Sequence, residues 1–232
     1  MSGIPVHDLK SMYETKTSRV SLLHAEPDGL RRSLLDAAGY LPVKRALDLL
    51  LIIVTLPLVI PILVVIAILV RIDTPGPVLF WQERVGKGGR SFRMVKFRSM
   101  RSDAEINGAQ FAEHEDDRVT SLGRFLRRYR LDELPQLWNV LRGEMSIVGP
   151  RPEQVEFARR FADQVPMYKW RHQVKPGITG WAQVHHGYAA DVKSTVTKLE
   201  YDLYYLKHLS LALDMSIMLR TIFVVIKGFG AR

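Results

Sequence analysis

Asp132 and Glu133 stand side by side in the run Leu131-Asp132-Glu133-Leu134-Pro135-Gln136-Leu137-Trp138-Asn139-Val140-Leu141-Arg142-Gly143, just after the basic residues Arg124, Arg127, Arg128 and Arg130. Carboxylates supply nucleophiles and Mg²⁺ ligands and arginines hold phosphate, so this neighbourhood is equipped for phosphoryl transfer. Leu134, Leu137, Trp138 and Leu141 follow i, i+3, i+4, i+7 spacing, Pro135 suits a first helical turn, and Gly143 suits a C-terminal cap. The pattern predicts a helix starting at the acidic pair, where its dipole and the arginines favour ionised carboxylates. Adjacent helical residues point apart, so the two acids are expected to act differently. The structural alternative makes Asp132 a helix cap and Glu133 a favourable first-turn charge.

More cations that could hold phosphate surround this run. Residues 78–85, Gly86-Lys87-Gly88-Gly89 and residues 90–100 read as a β-hairpin. Its glycine turn lacks the Gly-x-x-x-x-Gly-Lys-Ser/Thr spacing of a phosphate-binding loop. On the second strand, alternation places Lys96 and Arg98 on one face, where they could grip a diphosphate or simply face solvent or lipid headgroups. Leu122, Phe125, Leu126 and Tyr129 form a helical stripe that turns Arg124, Arg127 and Arg128 to a polar side. Arg151 lies between Pro150 and Pro152 in residues 145–152, which suits rigid bidentate recognition of phosphate. Lys175-Pro176-Gly177-Ile178-Thr179-Gly180-Trp181-Ala182-Gln183 is a turn-rich loop whose tryptophan reads as structural, with base or sugar stacking as the alternative.

The elements that must carry these groups include a membrane segment. Residues 49–70 have no charged side chain and are long enough to cross a hydrocarbon layer if straight. Pro57 and Pro61 favour a kink, and Lys44, Arg45 and Arg71 pull both ends to the cytoplasmic side. A re-entrant helical hairpin satisfies both features; a kinked span and a buried soluble helix are the competitors. Residues 1–40 are polar, with an apolar run too short for a secretory signal, and are expected to form a mobile tail or a peripheral helix around residues 30–38. The chain has 232 residues, a net charge of +9 and a pI near 9.8, which favours anionic partners. It has no cysteine, which excludes disulfides, thiol catalysis and a cysteine zinc site.

Lys96-Phe97-Arg98-Ser99-Met100, Leu131-Asp132-Glu133-Leu134-Pro135-Gln136, residues 145–152 and residues 176–183, in that order after an apolar segment, closely resemble the bacterial sugar transferase family of monotopic phosphoglycosyl transferases. The resemblance spans about residues 42–230. It implies transfer of a sugar 1-phosphate from a nucleoside diphosphate sugar, usually a UDP-sugar, to undecaprenyl phosphate, with release of UMP, as the first membrane step of surface polysaccharide or glycoconjugate synthesis. By the family pattern Asp132 is the nucleophile that forms a covalent phosphosugar intermediate, and Glu133 assists as a base or by holding Mg²⁺, so both acids are candidate metal ligands. Arg127 and Arg151 match phosphate-contacting arginines, Lys96 and Arg98 match the basic strand, and Pro61 best matches the membrane kink, with Pro57 near it.

The chain departs from the family pattern in two places. His185-His186-Gly187-Tyr188 replaces the common Asn-Gly-Arg, and Ile60 stands where a serine often precedes the kink proline, so Thr55 is a candidate substitute hydroxyl. The histidines read as a polar surface pair rather than metal ligands, because no zinc-spaced partners accompany them.

The expected fold is α+β: a mostly helical cytoplasmic-face domain with a small β-hairpin, anchored by a re-entrant membrane helix hairpin. The expected division is residues 1–41 as tail or peripheral helix, 42–72 as membrane helix and 73–232 as catalytic domain. Residues 211–226 are expected to form an interfacial helix, with a packed soluble helix as the alternative. Expected partners are undecaprenyl phosphate, a nucleoside diphosphate sugar, membrane lipids and downstream glycosyltransferases, without nucleic acid, at the bacterial inner membrane. Competing classes are a glycosyltransferase releasing UDP and a non-catalytic membrane adaptor.

Overall fold

The computed structural model describes residues 9–101, 116–186 and 192–227. In chain order its elements are α1 (Leu9–Thr17), α2 (Pro27–Asp36), α3 (Tyr40–Asp73), β1 (Leu79–Val85), β2 (Ser91–Phe97), α4 (Ser121–Arg128), α5 (Leu137–Leu141), β3 (Ser146–Val148), α6 (Val155–Gln164), β4 (Gly177–Thr179), α7 (Trp181–His185), α8 (Val192–Lys207) and α9 (Leu211–Lys227). Short 3-10 segments cover Leu131–Gln136 and Tyr168–Gln173.

The expected hairpin forms, with β1 antiparallel to β2 from Leu79 opposite Phe97 to Val85 opposite Ser91. Gly88 and Gly89 close it at φ of 69° and 78°, a region that glycine enters without steric cost. A second pair goes beyond the expected single hairpin: β3 runs parallel to β4, with Ser146 opposite Gly177 and Val148 opposite Thr179. Each strand has three residues, too few for a readable alternation.

Residues 9–39 are docked rather than tail-like. Leu30 of α2 is buried with Leu199 and Leu203 of α8, Val20 N donates to Glu200 O (3.0 Å), and Trp181 Nε1 donates to Ser18 O (3.0 Å). Residues 1–8 of the expected tail lie outside the described residues.

α3 is assigned as unbroken helix through Pro57 and Pro61, and it is apolar and long enough to anchor in a membrane. The Thr55 hydroxyl donates to Leu51 O (2.8 Å) and Ile52 O (3.2 Å). It therefore does not serve the carbonyls of Ile53 and Pro57, whose i+4 donors the prolines remove. Both halves of α3 pack on the rest of the protein. Near its start, Ile52 is buried with Met94, Val140 and Met145, and Asp48 accepts from Ser146 Oγ (2.7 Å) and Ile147 N (3.2 Å). Near its end, Ile66 and Val70 are buried with Phe97 and Leu126. Between them Leu58 stays 71% exposed, surrounded by other exposed apolar side chains.

α9 carries the same contrast. Asp214 and Ile217 are buried, whereas Leu211, Met215, Leu219, Ile222, Phe223 and Ile226 are exposed. Asp214 accepts from Lys44 Nζ (2.5 Å), Tyr40 OH (2.7 Å) and Tyr205 OH (2.9 Å), and so ties α9 to the foot of α3.

Candidate active site

The acidic pair is placed by a sharp break after α4. Arg130 adopts φ of 54°, a left-handed conformation uncommon for a residue with a side chain. Its N–H donates to Arg127 O (3.1 Å) and its carbonyl accepts from Glu133 N (3.2 Å), so a tight 3-10 turn, not the expected α-helix, carries Asp132 and Glu133. The α-helix begins only at Leu137, and Gly143 ends the run at φ of 80°.

The polar side of this run is buried, and its apolar stripe only in part, with Leu134 and Leu137 packed on the core. Asp132, Glu133, Gln136 and Asn139 are buried, while Trp138 and Leu141 of the expected apolar face are exposed. Asn139 explains the inversion: its Oδ1 accepts from Val95 N (3.1 Å) and its Nδ2 donates to Arg93 O (2.8 Å) and Glu144 Oε2 (2.8 Å). An amide that completes the hydrogen bonding of β2 takes the interior, and Trp138 is left exposed.

The two acids have different surroundings. Glu133 Oε1 accepts from Lys96 Nζ (3.0 Å) and Arg151 Nη2 (2.6 Å), and its Oε2 accepts from Arg151 Nη1 (3.3 Å). Burial pushes Glu133 up, but Arg151, Lys96 and Arg130 outweigh it and hold the carboxyl well below the usual range. Asp132 takes no side-chain hydrogen bond among the described residues. Burial pushes its carboxyl up and the Glu133 charge adds to this, with Lys96, Arg127 and Arg151 opposing. The expected bias of Asp132 towards its ionised form is thus reversed: no α-helix starts at the pair, and desolvation outweighs the cations.

Of the expected phosphate-binding cations, Lys96, Arg127 and Arg151 gather around the pair. Arg127 is fixed by its Nε bond to Ser99 Oγ (2.8 Å). Arg98 is elsewhere. β2 ends at Phe97, so strand alternation no longer sets the direction of Arg98; its buried Nη2 donates to Thr74 O (2.6 Å), Thr74 Oγ1 (2.9 Å) and Val70 O (3.3 Å) at the exit of α3.

Arg151 rests on a rigid shelf. Gly149 N donates to Thr179 O (2.8 Å) and Gly177 N to Pro150 O (3.0 Å), and a Cβ on Gly149, Gly177 or Gly180 would collide with the facing backbone. Trp181 is buried and structural. His185 and His186 are half-buried rather than a surface pair: His185 packs on Trp181 with centroids 3.9 Å apart, and its Nε2 meets Arg220 Nη1 at 2.7 Å. Gly187 and Tyr188 of the same departure lie outside the described residues.

Among the described residues the site offers a divalent cation one carboxylate without a side-chain hydrogen bond, that of Asp132. Mg²⁺ keeps several waters and takes one or two carboxylates plus substrate phosphates. Asp132 fits such a ligand, whereas Glu133 would have to release Lys96 or Arg151. Among the described residues no group of three His, Cys, Asp or Glu side chains is gathered to hold a metal.

Sequence reasoning missed the support behind Arg151. Arg171 and Asp202 are buried, and Arg171 Nη2 donates to Arg151 O (2.8 Å). The available signal was Asp202 itself, a charge set among Leu199, Leu203 and Leu206 on the buried stripe of α8.

The family model described as bacterial sugar transferase matches residues 39–228. The chain is 49% identical over 232 residues to the UDP-N-acetylgalactosamine-undecaprenyl-phosphate N-acetylgalactosaminephosphotransferase of Aeromonas hydrophila, covering 100% of this chain and 55% of that protein. It is 44% identical over 196 residues to the UDP-glucose:undecaprenyl-phosphate glucose-1-phosphate transferase of Xanthomonas campestris pv. campestris, covering 83% and 40%. The protein of the same description from Escherichia coli (strain K12) is 39% identical over 231 residues, covering 99% and 44%. The chain thus spans about half the length of these curated relatives.

Proposed function

Because this chain belongs to the bacterial sugar transferase family, we propose that it transfers a sugar 1-phosphate from a UDP-sugar to undecaprenyl phosphate, releasing UMP, as the first membrane step of a surface polysaccharide or glycoconjugate. The observation that carries this proposal is the division of labour at the acidic pair: Glu133 is saturated by Lys96 and Arg151, while buried Asp132 takes no side-chain hydrogen bond among the described residues.

Asp132 is the nucleophile. One of its oxygens bonds to the phosphorus that bears the sugar as the bridging P–O bond breaks, and UMP leaves with the electron pair. An oxygen of undecaprenyl phosphate then attacks the same phosphorus, and Asp132 departs as a carboxylate. An anionic nucleophile approaching an anionic diphosphate is opposed by like charge, which Lys96, Arg127 and Arg151 offset. A phosphate monoester has a second pKa of about 6, so the acceptor is largely ionised near neutral pH and needs no base. Glu133 accordingly orients Lys96 and Arg151 rather than moving a proton. Asp132 and the donor's phosphates would hold Mg²⁺, which supplies further charge stabilisation when bound.

The site lies at headgroup depth on the cytoplasmic face of the inner membrane, on a re-entrant α3. In a straight helix Ile52 and Ile66 would be about 21 Å apart at about 1.5 Å per residue, whereas Met94 and Phe97, their respective neighbours on β2, are about 10 Å apart. A bend at Pro57 and Pro61 supports both contacts and leaves the exposed apolar middle in lipid. Exposed apolar residues of α9, with Phe125 and Trp138, extend this membrane-facing surface.

The test is nucleotide release from a panel of UDP-sugars with undecaprenyl phosphate and Mg²⁺. Lipid-dependent UMP release by wild type, absent in Asp132→Asn, is the expected result. UDP release would indicate glycosyl transfer, and lipid binding without turnover on any donor would indicate an adaptor.

A further inference from the structure

We propose that Arg171, held by Asp202, is a positioning residue for Arg151, fixing through the Arg151 carbonyl where that guanidinium meets Glu133 and the donor diphosphate. The inference rests on the transfer reaction above for its consequence, and on geometry for the positioning itself. Arg171 is 3% exposed and Asp202 1% exposed. Arg171 Nε donates to Asp202 Oδ2 (2.9 Å), its Nη1 to Tyr168 OH (3.1 Å) and its Nη2 to Arg151 O (2.8 Å).

A buried ion pair is a poor device for stability alone, because an apolar replacement of similar volume often does as well. This pair instead spends a guanidinium donor on the backbone of a loop that carries a substrate-facing arginine. Three successive carbonyls of that loop are each engaged: Arg151 O by Arg171, Pro152 O by Arg84 Nη1 (3.1 Å) and Glu153 O by Val85 N (2.9 Å). Pro150 and Pro152 restrict the torsions on either side of Arg151. Little freedom then remains to Arg151 beyond its own side chain, which Glu133 takes up through two contacts. Lysine at 171 keeps the charge but cannot reach Asp202, Tyr168 and Arg151 O in one plane.

Two readouts on Arg171→Lys, both normalised to folded protein, test the proposal. The first is phenylglyoxal modification of Arg151, followed by peptide mass spectrometry without any substrate. It is expected to rise several-fold relative to wild type, with Arg127 unchanged; equal protection of Arg151 would overturn the proposal. The second is a double-mutant cycle on kcat/KM for the UDP-sugar. Arg171→Lys is expected to lose about 10- to 100-fold, as misplaced catalytic groups do, and Arg151→Lys/Arg171→Lys to be no worse than Arg151→Lys alone. Multiplicative losses would mean Arg171 acts independently of Arg151, and the proposal fails. If wild type turns over no donor, the activity assignment falls while the modification experiment still decides the positioning role. Should Arg171→Lys not fold, Asp202→Asn replaces it in both readouts; if neither folds, the pair is purely structural and the proposal is overturned.

Discussion

Arg151 grips Glu133 through two contacts, Nη2 to Oε1 at 2.6 Å and Nη1 to Oε2 at 3.3 Å, while the neighbouring Asp132 takes no side-chain hydrogen bond among the described residues. Two consecutive carboxyls therefore differ in availability: one is committed to holding cations and the other is unpaired among the described residues.

Asp132→Asn removes the charge of the proposed nucleophile with almost no change in shape, so UMP release is expected to fall by on the order of 10³-fold or more. Co-sedimentation with vesicles is expected to be unchanged, because α3 and α9 carry the apolar exterior. Turnover within tenfold of wild type would remove Asp132 from the role of nucleophile.

Activity should have an acid limb set by Asp132. Burial, together with the Glu133 charge, raises its carboxyl, and the proposed nucleophile is the deprotonated form, so kcat/KM is expected to fall as pH drops through a value above the ordinary aspartate pKa of about 3.9. Lys96 opposes that rise, so Lys96→Gln is expected to move the limb to still higher pH. A wild-type limb at or below the ordinary value would contradict the desolvated environment. Glu133 is held low by Arg151 and Lys96 and does not set this limb.

Gly123→Ala is expected to destabilise the protein although alanine favours helix. The propensity gain is about 1 kcal/mol, but the added Cβ would collide with the Ser99 carbonyl, and such overpacking costs roughly 1–3 kcal/mol. Thermal unfolding of the detergent-solubilised protein checks the sign. UMP release should fall too, because Ser99 also anchors Arg127. An increase in Tm would show that α4 yields without cost.

The absence of cysteine makes each introduced thiol the only one in the chain. Val43→Cys and Ile72→Cys lie at exposed positions towards the two ends of α3, and Leu58→Cys lies in its exposed middle. In inverted inner-membrane vesicles a membrane-impermeant maleimide is expected to label both end positions and to spare Leu58→Cys. Labelling of only one end would establish a spanning helix and move the kink prolines out of the re-entrant role.

Much of the architecture was legible before any coordinates. The hairpin followed from alternation on either side of Gly86-Lys87-Gly88-Gly89, and the apolar anchor followed from the uncharged residues 49–70, because both signals are local. The run after Asp132 was read as helical from sound periodicity, yet Trp138 and Leu141 of its apolar stripe are exposed while Gln136 and Asn139 are buried. Periodicity finds a stripe, but it does not say whether that stripe meets a protein core or an apolar exterior. Lys96 and Arg98 show a second limit, since alternation predicts a shared face only while the strand continues.

By itself the sequence determined the kind of chemistry present: an acidic pair among phosphate-binding cations, attached to an apolar segment with prolines in it. Tertiary structure alone decided which of the two acids is paired. Lys96 lies 37 positions from Glu133 and Arg151 lies 18, and Asp202 reaches Arg171 across 31. Desolvating a charge is costly unless a partner arrives, and such partners come from separate elements whose meeting no local pattern encodes.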